Sequence, residues 1–508
     1  MNLHKDEQLA AFLREVRSLS PDQKVYLVGG AVRDLVLGRN VKDLDFVTAD
    51  GSVELAKAVR RRFDGVWYTL DDQHQTARVI LKQGQPGELI LDFTAFVGGS
   101  LEEDLSQRDF TINAMAIDLD NLEEVIDLLG GQADLRDRDL RLSNPQSLMT
   151  DPLRVLRAVR MVRTFELVVN PETIEKLRIA TISLNRISGE RIRDELLKCL
   201  AIPGLSATYH LLGEYGILFQ LLYRVFKLGA SEKVLARAIR EHFPSMPDFI
   251  DDVPLPEWSL AQEEAGKTGN PLDALENLIE AIDQKNQEAL FFTECPSRIS
   301  SPGILEGLTR ISDERLQGGR TRKQLLILFA LFFWHHLEIN PVSCKTGVAS
   351  CLIFGQKLTN AFMLGQKEQK FFEQVCKGFH KTFSLSQQAE VGPLELYRYF
   401  TEMGSFGLEA ALLHITNQCV ATTANERLKL LAETIILSWF NDYETIVDPP
   451  QLIDGDDLQE TLQLKPGPEF GLYLESIREA QVMGEIKNRD AALAHVSKLL
   501  NERKEHEN

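Results

Sequence analysis

Two acidic residues separated by one position, Asp43 and Asp45, stand in the segment VKDLDFVT. If that segment is a strand, side chains alternate between its faces, so both carboxylates point one way while Leu44 and Phe46 point the other. Crowded carboxylates repel each other, and a divalent cation between them relieves the repulsion. Just upstream, Gly29-Gly30 opens the segment AVRDLVLGRN. Paired glycines let a backbone approach a ligand closely, and the first amides of a helix starting there suit a phosphate. Arg33 is placed to meet the same anion.

The elements that must position these residues follow from the apolar pattern. VYLVGG, AVRDLVLGRN and VKDLDFVT read as strand, short helix and strand, and 51–63 as a helix ending in RRRF. Strand patterns follow at 66–70, 77–82, 88–96, 110–118 and 123–128. Strands mixed with a few helices predict an α+β head with a mixed sheet over residues 1–146. From Asp151 onward apolar residues recur at helical spacing, as in Val155, Val159 and Val162, and an all-α remainder is expected. The expected divisions are a neck at 147–215, a body at 216–300, a helical domain at 301–450 and a tail hairpin at 451–508. Pro203-Gly204 breaks one helix, 245–272 reads as a linker, and Asp448-Pro449-Pro450 marks the last boundary.

Composition sets outer limits. The chain has 508 residues, 44% hydrophobic and 26% charged, as expected of a multidomain globular protein. LLILFALFFW (325–334) is about half the ~20 residues needed to span a bilayer and reads as a buried helix. No signal-peptide core is seen, so a cytoplasmic location without membrane contact is expected. Six scattered cysteines without a C-x-x-C pair argue against a disulfide framework or structural zinc. The net charge of −19 argues against nucleic acid unless basic residues are concentrated locally. They are concentrated at 150–200, where four arginines lie within one stretch, 154–163.

GGAVRDLVLGRNVKDLDFVT (29–48) resembles the polymerase-β-like nucleotidyltransferase superfamily. Its GGxVRD form resembles the branch of bacterial-type (class II) tRNA nucleotidyltransferases and poly(A) polymerases. The resemblance implies nucleotidyl transfer from CTP or ATP to the tRNA 3′ end, with Mg²⁺ held by Asp43 and Asp45. It further implies a third carboxylate on an adjacent strand, Asp92 in LILDFTAF; an edge-strand Asp facing water is the other reading. In SLEEDLSQRDFTINAMAID, Arg108 and Asp109 would touch ribose or phosphates and Asn113 would shape the pocket. Gln107 replaces the family's first Arg, and a local Arg108–Asp109 ion pair is also compatible.

DPLRVLRAVRM (151–161) is expected on the first helix after the head, with Asp151 and Arg154 as neighbours. In the family the matching pair selects the base by hydrogen bonding; a helix cap is the plainer reading. Thr150 stands where Glu is usual. Arg33, Arg108, Arg157 and Arg160 would then neutralise the triphosphate. ISGERIRDELLKCL (187–200) resembles the family too, with Arg191 and Arg193 facing either RNA or solvent.

Trp334-His335-His336 falls where some relatives carry a phosphohydrolase domain, but the companion Asp and histidines are missing, and a degenerate helical scaffold is expected. In the tail, Lys465, Gly467 and Gly471 form a turn that suits a tRNA phosphate, or a simple hairpin. Full CCA-adding relatives carry a flexible loop before the S-L-E-E-D-L helix. Here only Val97-Gly98-Gly99 separates Phe96 from Ser100, as in CC-adding relatives, so the resemblance leans to CC addition. A poly(A) polymerase shares the head motifs, and a catalytically inactive RNA-binding regulator is the reading from another class.

Overall fold

A computed structural model describes residues 7–71, 75–226, 271–284, 299–339, 347–420, 425–463, 467 and 469–506. Two compact units are present: 1–202 with 211–220, and 203–210 with 221–508. Most of 216–300, including 245–270 of the expected linker, and Lys465 lie outside the described residues.

The first unit carries helices α1 (Glu7–Ser18), α2 (Gly30–Val36), α3 (Ser52–Phe63), α4 (Leu101–Ser106), α5 (Gly131–Asp137), α6 (Ser147–Thr150), α7 (Arg154–Phe165), α8 (Pro171–Thr181) and α9 (Gly189–Leu200). Its strands are β1 (Val25–Val28), β2 (Asp43–Thr48), β3 (Val66–Asp71), β4 (Thr76–Leu81), β5 (Leu89–Ala95) and β6 (Ala116–Asp118). They form one mixed sheet in the order β3-β4-β5-β2-β1-β6, with β2 and β5 parallel and the other pairs antiparallel.

Alternation along β2 and β5 divides the sheet into two chemistries. Leu44, Phe46, Leu91 and Phe93 are buried, and the rings of Phe46 and Phe93 stack at 4.9 Å. α3 packs its buried Leu55, Ala56 and Val59 in this part of the fold, against β4 and β5. The intervening positions Asp43, Asp45 and Asp92 are left for the opposite face.

One expected strand is shortened and another is absent. FTINAMAID folds as a single 3₁₀ turn, Thr111–Asn113, followed by the three-residue β6. The 123–128 segment contributes only an isolated bridge from Ile126 to Ala116. The run is apolar because the turn is buried: Phe110, Ile112, Ala114 and Met115 are wholly enclosed. Periodicity alone does not separate a buried turn from a strand.

The helix that carries the arginines begins later than the sequence suggests. Asp151 is extended (φ −140, ψ 95), and α7 starts at Arg154. Pro152 accounts for this, because its ring disfavours helical backbone in the residue before it. α7 turns Val155, Leu156, Ala158, Val159 and Met161 inward and packs on α9, where Cys199 meets the Leu156 carbonyl, while Arg154, Arg157 and Arg160 line the cavity.

The second unit is helical among the described residues. Leu325 to Trp334, apart from half-buried Ile327, are buried within helix Arg322–Ile339, whose Phe329 and Phe333 stack at 4.6 Å. Arg322, 1% exposed, is held bidentately by buried Glu409 at 2.7 and 2.6 Å and lies over the Phe406 ring. Pro271 and Leu272, expected in the linker, instead open helix Pro271–Asp283. In the tail, Ile453, Leu458, Tyr473, Ile477 and Val496 form a separate apolar core. Asp454 caps helix Gly455–Leu462 by accepting the amides of Asp456 and Asp457 at 2.9 and 3.0 Å. Gly467 lies exposed before the next helix, but Gly471 is inside that helix (Glu469–Val482), not in the turn.

Candidate active site

A cavity of about 760 Å³ opens on the first unit, floored by β2 and β5 and walled by α2, the 108–113 turn and α7. Gly29, Gly30, Arg33, Asp43, Asp45, Asp92, Arg108, Asp109, Asn113, Asp151, Arg154, Arg157 and Arg160 all line it. The sequence thus marks its wall from four separate stretches. Asn40, Lys42, Arg78 and Lys198 line it as well and were not singled out.

Register places the carboxylates. Asp45 lies opposite Asp92 across the parallel β2–β5 pair and opposite Val28 across β1–β2. Burial pushes the Asp45 carboxyl up to about 6, with Asp92 and Asp43 adding to the rise and Arg108 and Arg157 opposing it. Gly29 has a positive φ (+74) that side chains avoid, and a Cβ there would sit 3.3 Å from Asp45 Oδ2 and 2.9 Å from Arg108 Nη1, whose flexible end would have to shift.

A hydrogen-bonded chain joins the head motifs to the neck. Buried Arg33 donates from Nη1 to Asn113 Oδ1, and its guanidinium lies 4.3 Å from the centre of the Phe165 ring. Asn113 Nδ2 donates to Asp109 Oδ1 at 3.0 Å, and Arg157 Nε donates to Asp109 Oδ2 at 2.7 Å. Burial would raise the Asp109 carboxyl. Arg157's charge, Asn113 and the Phe110 amide outweigh it and hold the group below the usual range. The ion pair of Asp109 is therefore with Arg157, not Arg108. Arg108 pairs with Asp104 one turn earlier, at 2.9 Å.

Asp151 and Arg154 share the cavity without pairing. Asp151 Oδ2 accepts from Arg191 of α9 at 3.0 Å, and Oδ1 accepts the Leu153 amide at 3.3 Å. Arg154 donates to the carbonyls of Gln107 (2.9 Å), Arg108 (3.2 Å) and Ser147 (3.1 Å). The contact at Gln107 uses backbone only, so it does not need the family's Arg. Thr150 folds its hydroxyl back onto Ser147 O at 2.8 Å. Arg160 pairs with buried Glu195 of α9, and Arg193, expected to face RNA or solvent, is buried against Asp194.

The expected carboxylate triad is not assembled. Both oxygens of Asp92 are taken by Arg78, Nε and Nη2 each at 2.7 Å. Among the described residues no group of three His, Cys, Asp or Glu is spaced to hold a metal ion. The pair Asp43 and Asp45 still fits a divalent cation. Both are hard oxygen donors on one strand face, and the repulsion and burial felt by Asp45 are what a cation relieves. Phosphate oxygens of a substrate would supply further ligands.

A strand bearing two carboxylates beside a glycine turn, under an arginine-lined helix, is the arrangement a nucleotidyltransferase head needs. Family models match the chain at 25–141 (Poly A polymerase head domain), 167–225 (probable RNA and SrmB-binding site of polymerase A) and 366–496 (tRNA nucleotidyltransferase domain 2, putative). A CC-adding tRNA nucleotidyltransferase of Geobacter sulfurreducens is 28% identical over 93% of this chain and 91% of its own length. One from Synechocystis sp. is 25% identical over 93% of each. The fold matches a CCA-adding enzyme solved with ATP, with a TM-score of 0.61 at 20% identity, over 97% of this chain and 96% of that one. The three matched segments and the two full-length relatives support a likeness to class II tRNA nucleotidyltransferases and poly(A) polymerases. No described helix is long and apolar enough to cross a membrane.

Proposed function

We propose that this chain extends the 3′ end of tRNA with CMP from CTP, completing the CC of a CCA end in the cytoplasm. The 3′-hydroxyl attacks the α-phosphorus, a new P–O bond forms, the α–β anhydride breaks and pyrophosphate leaves. A divalent cation, Mg²⁺ in this reading, bound by Asp43 and Asp45 would acidify the hydroxyl and offset charge on the leaving oxygens. Arg33, Arg108, Arg157 and Arg160 line the cavity in positions set by fixed partners, so cationic donors are pre-aimed at the triphosphate. Asp151 accepts and Arg154 donates, so the two together can complement a base edge.

The observation that carries the reading is the register of Asp45 beside the backbone of Gly29, which sets metal ligands against a phosphate cradle. CC addition is favoured over full CCA addition by the closed connection from β5 to α4. There the Val97 amide donates to Asp104 at 3.1 Å and the Gly99 amide to Glu103 at 2.6 Å, leaving no free loop. The two CC-adding relatives match over nearly their full length, as does an A-adding one of Deinococcus radiodurans at 25% identity. In the tail, the exposed backbone at Gly467, with Lys465 and Gly471, is our candidate contact to the tRNA stem.

The test supplies purified protein and Mg²⁺ with tRNAs ending before CCA, after C and after CC, each with CTP or ATP alone. Incorporation of CMP into the first two, and none of AMP into the third, is expected. AMP on the third tRNA alone would make the protein an A-adding enzyme. Long A-tracts on generic RNA would make it a poly(A) polymerase. tRNA binding without incorporation would leave a regulator.

A further inference from the structure

The sheet brings together, on four consecutive strands, Tyr68, Arg78, Asp92 and Asp45, each directly opposite the next. Arg78 occupies the middle of this row and lines the cavity. It grips Asp92 side-on through Nε and Nη2, and a hydrogen bond with Tyr68 steadies it from the other side. A carboxylate with both oxygens committed to a guanidinium is not free to complete a metal shell. Asp45, one strand away, lines the same cavity.

We propose that Arg78 is a latch on Asp92. In the free enzyme it withholds the third carboxylate from the metal, and a nucleoside triphosphate releases it by offering Arg78 a phosphate in exchange. The exchange is between like ligands, because guanidinium binds carboxylate and phosphate with the same two-point geometry. Arg78 is thus a positioning residue, acting on the metal site through Asp92. The latch orders the events: the full carboxylate set assembles only when the triphosphate is in place. This rests on the nucleotidyl-transfer reading, with Asp43 and Asp45 holding the first cation.

Mn²⁺ binding, followed by loss of the free-ion paramagnetic resonance signal, tests the latch without turnover. In the absence of nucleotide, Asp92→Asn is expected to bind Mn²⁺ as the wild type does, because Asp92 is already committed. Arg78→Gln is expected to bind about tenfold more tightly, the equivalent of one charge-assisted hydrogen bond released to the metal. The double variant Arg78→Gln/Asp92→Asn should lose that gain, and Arg78→Lys should fall between. With CTP present, Asp92→Asn should now bind more weakly than wild type.

Unchanged affinity in Arg78→Gln overturns the latch. So does an equal gain in the double variant, which would show a general charge effect. Asp92→Asn weakened without nucleotide would show Asp92 to be a resident ligand and also overturns it. Wild-type protein that takes up no Mn²⁺ with or without CTP overturns the nucleotidyl-transfer reading itself, and the latch with it. Retained thermal melting of each variant shows that the sheet is intact.

Discussion

Arg157 of the neck donates to Asp109 of the head at 2.7 Å, and through Asn113 this pair reaches Arg33 beside the glycine turn. The connection fixes α7, which carries three of the cavity's arginines, against the sheet face that carries Asp43 and Asp45. Buried Asp109 is thus one tie between α7 and that face, alongside the contacts of Arg154 with the Gln107 and Arg108 carbonyls.

Asp109→Ala removes the buried partner of Arg157, whose own side chain is 38% exposed. Water reaching the guanidinium keeps the cost below the ~3–5 kcal/mol of a fully buried pair. A fall in the melting temperature of the first unit is expected by calorimetry. Arg157→Ala should fall comparably, and the double variant should lose less than the sum of the two.

Asp43→Ala and Asp45→Ala are each expected to abolish nucleotide incorporation with the fold intact. Asp45→Asn should go further and raise the melting temperature of the metal-free protein, because it removes a buried, repelled charge. A lower melting temperature would show that Asp45 is compensated by contacts other than a cation.

Gly29→Ala adds a methyl group 2.9 Å from Arg108 Nη1 at a backbone angle that side chains avoid. A destabilisation of about 1–2 kcal/mol is expected from the strain alone. Nucleotide affinity should fall as well, since Arg108 must move. Equilibrium CTP binding measures the second effect separately.

Asp151→Asn and Arg154→Ala should alter the choice between CTP and ATP more than they alter total turnover. Arg154→Ala should in addition lower stability, because three carbonyl contacts go with it. Competition between labelled CTP and ATP on one tRNA measures the ratio, and an unchanged ratio in both variants removes them from base selection.

His414 in the second unit gives a pH signature independent of the site. Burial pushes its imidazole down to about 4; it stacks on Phe379 at 3.8 Å, and its Nε2 bonds Phe379 O at 2.7 Å. A histidine kept neutral in the folded state favours unfolding once protonated. Its stabilising share is complete above the unfolded value near 6.5 and is lost as pH falls toward 4. His414→Phe should flatten the melting temperature of the second unit across that window.

Strand β2 is legible because period-two alternation and apolar neighbours at Leu44 and Phe46 settle which way Asp43 and Asp45 point. The cavity's arginines on α7 were legible from their shared spacing. Asp151 was placed on that helix because its charge pattern continued the series, while the local effect of Pro152 overrode the series. Arg78 escaped notice because a single Arg in an alternating strand looks like solvated surface. Only sheet order, a long-range property, shows that its neighbour is Asp92. The 110–118 run was read as a strand because burial makes a turn as apolar as a strand.

The most direct measurement of the central claim is single-turnover transfer of labelled CMP to a tRNA ending before CCA, comparing wild type with Asp45→Asn at saturating Mg²⁺ and CTP. Transfer by the wild type with pyrophosphate released in equal amount, and none by the variant, is the predicted result. Transfer by both at similar rates would contradict it, since the chemistry would then not pass through the carboxylates of β2.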